Sequence, residues 1–230
     1  MHEPKKISMN LKKLPITGLL VLAVVFLAGC ARNNPSHFFK NGAAQYQLKN
    51  YETAIENLDK AISLDSAYKE AYYLRALCKV QMDLTHEALQ DFNRAISLDP
   101  EFKDAYFNRA YYIFMQQGKY QKAINDFNLI LDRLEGNALA LALSNRGYCY
   151  LKLSQPDSAL ADITRSLELN GNNAFARQNL GLTRLITGDT LGACEEFSLA
   201  VEMGYEEQME PEAREFYYNN CSAAQGRENL

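Results

Sequence analysis

The sequence predicts an all-α fold built from a run of similar helix pairs, and three observations carry that prediction. Five segments repeat one pattern: Ala54, Leu58, Ala61; Ala88, Phe92, Ala95; Ala123, Phe127, Ile130; Ala159, Ile163, Ser166; and Ala193, Phe197, Ala200. Steps of four and three residues hold each trio on one face of a helix. The leading alanines stand 34, 35, 36 and 34 residues apart, a recurring period that a single globular bundle does not produce. Composition agrees: the 230 residues include no Trp, only 12 Gly and only 6 Pro, too few for a turn-rich β fold.

The N-terminal residues stand outside this pattern. Leu19 to Ala28 is an unbroken apolar run, preceded by Lys5, Lys6, Lys12 and Lys13. A basic stretch followed by a short apolar one is the layout of an export signal. A helix crossing a bilayer core needs roughly 20 apolar residues, and this run is far shorter. Pro15 and Gly18 weaken any extension toward the N-terminus, and Met9 offers a second start. The run closes on Leu27-Ala28-Gly29-Cys30, which resembles the bacterial lipoprotein box. The resemblance implies a diacylglycerol on the Cys30 sulfur, cleavage before Cys30 and acylation of the new amino group. Residues 1–29 are thus expected to be a signal peptide and 30–34 a lipidated tether. At ~0.8 kcal/mol per buried CH₂, two or three long acyl chains hold a domain firmly on a membrane. Ala31, not Asp, follows the Cys, so the expected location is a bacterial envelope, anchored at the outer membrane on either its periplasmic or its outer face.

Upstream of each trio lies a second helical segment with a small residue at one register: Gly42, Ala76, Ala110, Gly147 and Gly181. A missing side chain there lets the two helices of a pair approach closely. Turn residues separate the helices at Gly118-Lys119, Gln155-Pro156-Asp157 and Gly188-Asp189, and Pro100 ends the helix before it. The pattern resembles the tetratricopeptide repeat (TPR) family, which implies helix–turn–helix units in a right-handed α-solenoid. Five repeats are expected over 35–207, at about 35–68, 69–102, 103–138, 139–173 and 174–207. The chain departs from the family in lacking Trp in the first helix and in having Ser66 for Pro, Ile130 for Ala and extra residues around repeats three and four. Residues 208–230 are expected to form a capping helix and tail, with Pro211 suited to the first turn and a polar outer face closing the array.

Cysteine positions bear on the compartment. Cys78 and Cys149 share a first-helix register two repeats apart, too distant to bond, and read as buried core residues. Cys194 lies ten residues before Gly204, and Cys221 lies ten after Pro211. If 204–211 turns a helix hairpin, the two stand at matching height. Both a disulfide, allowed in an oxidising compartment, and two separately buried thiols fit that spacing.

Charge and motif content narrow the function. Removing residues 1–29 takes away four Lys and one Glu, which leaves 20 basic and 27 acidic side chains. An acidic chain with no Lys/Arg block has no electrostatic footprint for nucleic acid. His37 and His86 lack the spacing of metal ligands. No phosphate loop, nucleophile elbow or Cys/His pair occurs. No enzyme activity, cofactor or metal is therefore expected.

In TPR proteins the first helices line a concave face that often holds a peptide or a partner helix. Carried over by register, the resemblance implies a groove that draws on Phe39, Tyr46, Tyr73, Phe107, Tyr111, Phe114, Tyr148, Lys152 and Leu182. Asn108, Asn145 and Asn179 recur at the register where an Asn of peptide-binding TPRs bonds ligand backbone. The set is unusually apolar and aromatic, as interaction surfaces are. The paired lysines of the family's carboxylate clamp are not evident. The expected function is a non-enzymatic, membrane-anchored adaptor of the bacterial envelope that binds a partner protein's peptide or helix in this groove. The alternatives are a homodimeric structural lipoprotein and an accessory lipoprotein that binds glycans or peptides.

Overall fold

The structure, a computed structural model, describes residues 34–221. The expected signal peptide and the lipid site Cys30 lie outside the described residues. Backbone contacts divide the chain into two units, one ending at Leu84 and one beginning at Thr85.

The first unit holds α1 (Pro35–Gln47), α2 (Tyr51–Leu64) and α3 (Lys69–Gln81). Asn34 caps α1 by accepting the Ser36 N–H at 2.9 Å, with Pro35 in the first turn. Ala54, Leu58 and Ala61 of α2 are fully buried. Gly42 of α1 faces them, and a Cβ there would lie 2.8 Å from Leu58 Cγ. The small residue is what lets α1 and α2 touch. Ala71, Leu74 and Cys78 of α3 complete this core.

The second unit holds α4 (Thr85–Leu98), α5 (Lys103–Arg109), α6 (Tyr120–Asn128), α7 (Gly136–Lys152), α8 (Pro156–Leu169), α9 (Ala174–Ile186), α10 (Thr190–Glu202) and α11 (Pro211–Phe216). The α7/α8 and α9/α10 pairs close in the same way: a Cβ on Gly147 would meet Ile163 Cγ1 at 2.6 Å, and one on Gly181 would meet Phe197 Cε1 at 2.5 Å. Pro211 occupies the first turn of α11, and Met209, Ala213, Tyr217 and Cys221 bury against Leu180, Ala193 and Phe197.

Each turn inside a pair is the same device. Lys49, Asp83, Gly118, Ser154 and Gly188 all have φ between 57° and 87°, and they follow the 34, 35, 36 and 34 spacing of the alanines. At every one, the N–H of the next residue reaches back five positions, as in Asn50 to Gln45 O at 2.9 Å and Asp189 to Arg184 O at 2.8 Å. This is the Schellman end of a helix, and the left-handed residue in it is the price of a tight reversal. Three of the five are not Gly, so composition alone hides them.

The extra residues expected around repeats three and four lie at two places. Twelve residues separate Gly42 from Ala54, Ala76 from Ala88, Gly147 from Ala159 and Gly181 from Ala193, but thirteen separate Ala110 from Ala123. The surplus residue is taken up by a π-helical turn, Ala110–Met115, that continues α5. Two more surplus residues fall between Ala123 and Gly147. There α6 stops at Asn128, a 3₁₀ turn spans Leu131–Arg133 and α7 starts at Gly136. This corrects one expectation: Ile130 is fully buried but lies past the end of its helix, not on its face.

Arginines at one register tie neighbouring helices together. Arg109 donates to both carboxylate oxygens of Asp126 at 2.6 and 2.8 Å and to Asn93 Oδ1 at 2.7 Å. Arg146 repeats this with Asp162, at 2.6 and 2.7 Å, and with Asn128 Oδ1 at 2.6 Å. Burial raises the Asp126 carboxyl above its ordinary range, and the bonds from Arg109 oppose that shift. Forked pairs of this kind join a helix to its own partner and to the pair before it.

Cys194 and Cys221 are disulfide-bonded, with Cα atoms 5.3 Å apart. The bond joins α10 to Tyr217–Cys221, the π-helical continuation of α11. Cys78 and Cys149 are free and buried, and burial pushes both thiols up to about 12. They are unreactive core residues.

Candidate binding cavity

The second unit contains a cavity of about 630 Å³. Phe107, Tyr111 and Met115 enter it from α5 and its π turn at steps of four. Leu141, Ser144, Asn145 and Tyr148 enter it from α7, again along one helix face. Gln116, Tyr120, Asn173, Phe175, Tyr205 and Glu210 complete the lining.

The aromatic rings contact one another. Phe107 stacks on Tyr111 with centroids 6.4 Å apart, and Tyr148 meets Phe175 at 5.5 Å and the edge of Tyr120 at 6.1 Å. Glu210 is fixed at one end. Its two carboxylate oxygens accept from Tyr148 Oη and Lys152 Nζ, each at 2.9 Å, and its own N–H donates to Gln178 Oε1 at 2.5 Å. Lys152 Nζ also lies 5.2 Å from the Tyr148 ring centre. Burial and then the bonded carboxylate of Glu210 hold the Tyr148 phenol well above its ordinary value. Tyr205 is raised too, first by burial, then by Tyr111 and Glu210.

Asn145 is buried, and its Nδ2 donates to Leu141 O at 2.8 Å. That carbonyl can only accept, so the amide orientation is fixed. Asn145 Oδ1 is left buried without a hydrogen-bond partner.

Of the residues implied by register, the cavity brings together Phe107, Tyr111, Asn145 and Tyr148, with Lys152 alongside at Glu210. Others serve the core instead. Phe114 is buried with the Arg109 guanidinium 5.4 Å from its ring, Leu182 is buried in the core cluster of the second unit, and Asn179 is fully buried beside Gln178. Asn108 is half-buried away from the lining. Phe39, Tyr46 and Tyr73 belong to the first unit, where Phe39 meets Tyr68 at 5.0 Å and Tyr46 meets Tyr51 at 5.8 Å. Register missed Tyr120, Phe175, Tyr205 and Glu210. The last two sit in the acidic turn after α10, which reads in sequence as a solvated helix start.

Among the described residues, no group of three His, Cys, Asp or Glu side chains is placed to hold a metal ion. No described helix is long and apolar enough to cross a membrane.

Three family models match the chain: "TPR repeat" over residues 33–82 and "Tetratricopeptide repeat" over 79–138 and over 140–173. The chain carries tetratricopeptide repeats. Solved TPR-like structures agree on the fold. MamA from Desulfovibrio magneticus RS-1 superposes with a TM-score of 0.68 at 15% identity, covering 74% of this chain and 94% of that one. PilF of Pseudomonas aeruginosa gives 0.65 at 19%, covering 74% and 76%. YrrB, described as a TPR protein with an unusual peptide-binding site, gives 0.65 at 21%, covering 75% and 87%. Identities this low establish the all-α solenoid class and nothing further. Among curated proteins, Hsc70-interacting proteins 1 and 2 of Drosophila melanogaster are each 29% identical over 111 residues, 48% of this chain. The chain spans 29% of the length of those relatives.

Proposed function

We propose that this TPR protein is a non-enzymatic interaction scaffold, held on the bacterial envelope through lipid on Cys30, that receives a partner's peptide or helix in the cavity of the second unit. The observation that carries the reading is the cavity itself, an open, aromatic-lined hollow where the first helices α5, α7 and α9 meet the C-terminal segment. Its volume lies in the range of sites that bury several side chains of a ligand. Its rings are rigid anchors that lose little side-chain freedom on binding. YrrB, which shares the fold, is itself named for a peptide-binding site. The lipoprotein box supports the anchor, and the absence of Asp after Cys30 supports the outer membrane.

The test is crosslinking in native membranes, comparing the unaltered chain with the Tyr111→Ala/Tyr148→Ala double variant. Partners captured by the unaltered chain are expected to be lost from the variant. Recovery of the same partners at the same yield sinks the cavity as their binding site.

A further inference from the structure

We infer that this cavity receives a large uncharged side chain of the partner peptide, of the Phe, Leu or Met kind, and holds it without an ion pair. The inference rests on the cavity being a peptide site, and it adds the chemistry of what enters. The mouth carries apolar side chains that stand open to water: Leu141 is 47% exposed and Tyr111 36%. Exposed apolar surface at the lip of a hollow is what a docked apolar segment covers. Phe107, Met115, Tyr148 and Phe175 are less exposed. They supply ring faces and a thioether, which pack well against an entering ring or aliphatic chain.

A charged side chain has nothing to pair with there. Among the described residues of the lining, Glu210 is the single carboxylate, and none is Lys or Arg. Tyr148 Oη and Lys152 Nζ already donate to the two oxygens of Glu210, so this group is satisfied within the chain. Burial is the first cause that keeps the Tyr148 and Tyr205 phenols protonated, and burial penalises a charge of either sign. An unpaired charge carried into such a wall is costly, whereas an apolar side chain gains by leaving water. The Tyr111 and Tyr205 hydroxyls and the Gln116 amide also belong to the lining. These neutral groups suit the main-chain N–H and C=O groups on either side of the anchor.

The probe is a displayed random-peptide library selected on the full-length chain in detergent. Selected peptides are expected to share one large apolar side chain at a fixed position. Changing that residue to Lys or to Glu should weaken binding by about tenfold or more in both cases. Affinity for the unaltered peptide should not fall as salt is added, because no charge pair crosses the contact. Tyr111→Ala and Leu141→Ala should each abolish selection. Leu141 is exposed, so its variant keeps the fold, and the peptide-side changes leave the protein untouched. Selection of peptides with a fixed Lys, Arg, Asp or Glu that both variants abolish overturns the uncharged anchor and leaves the peptide site standing. Peptides indifferent to both variants, or no selection at all, overturn both.

Discussion

Gly181 shows how much of this fold hangs on a missing methyl group. Replacing a mid-helix Gly by Ala ordinarily gains about 1 kcal/mol of helix propensity. Here the new Cβ would lie 2.5 Å from Phe197 Cε1 and 2.7 Å from Cδ1, and Phe197 is fully buried with nowhere to swing. Forcing a methyl into such packing costs about 1–3 kcal/mol. Gly181→Ala is therefore expected to destabilise on balance, read as a lower urea midpoint with an unchanged slope. Tyr148 supplies a pH prediction. Its phenol is raised in the folded chain by burial and by Glu210, so the folded state holds its proton more tightly than the unfolded state does. That stability is complete below the ordinary tyrosine value of about 10 and falls as pH climbs above it. Alkaline unfolding curves should show the decline, and Tyr148→Phe should flatten it.

At the scale of elements, the C-terminal segment depends most on a covalent tie. α11 has six residues, too few to be helical unaided. The disulfide spans a sequence separation of 27, and closing a loop of that size is worth about 3.5 kcal/mol of chain entropy. Cys221→Ser is expected to lose stability of that order. Amide exchange should rise in residues 205–221, while the first unit, residues 34–84, keeps its protection. Because Glu210 belongs to this segment, the same variant should also release Tyr148 and lower its pKa toward the ordinary value. The cysteine spacing put the two residues at matching height on condition that 204–211 turned a helix hairpin. It could not show their rotation about the helix axes, which decides whether sulfurs meet.

For the whole molecule, the reach of sequence reasoning comes from periodicity. The trios, the small residues facing them and the cavity residues Phe107, Tyr111 and Tyr148 all repeat, so a period reveals them. Tyr205 and Glu210 do not repeat, and they join the cavity only because the chain folds back after α10. The spacings of 35 and 36 showed that residues had been added, but not where the backbone would absorb them. The lipid anchor is tested on the intact chain expressed in a bacterium with two membranes: it should sediment with the outer membrane, and Cys30→Ser should leave it in the soluble periplasmic fraction. Sedimentation of the Ser variant with membranes would overturn the anchor.

Ala110–Met115 houses the one residue by which this repeat exceeds the twelve-residue spacing of the other four. Each added residue rotates the downstream side chains by about 100° around a helix axis, and Tyr111 and Met115, both in the cavity wall, lie within that stretch. A point mutation exchanges one side chain of the wall, whereas losing this residue would re-aim several at once and leave the packed alanines in register. Selectivity in such an array can therefore change through small in-frame insertions and deletions. Alignments of its relatives will miss this where they treat the repeat length as constant.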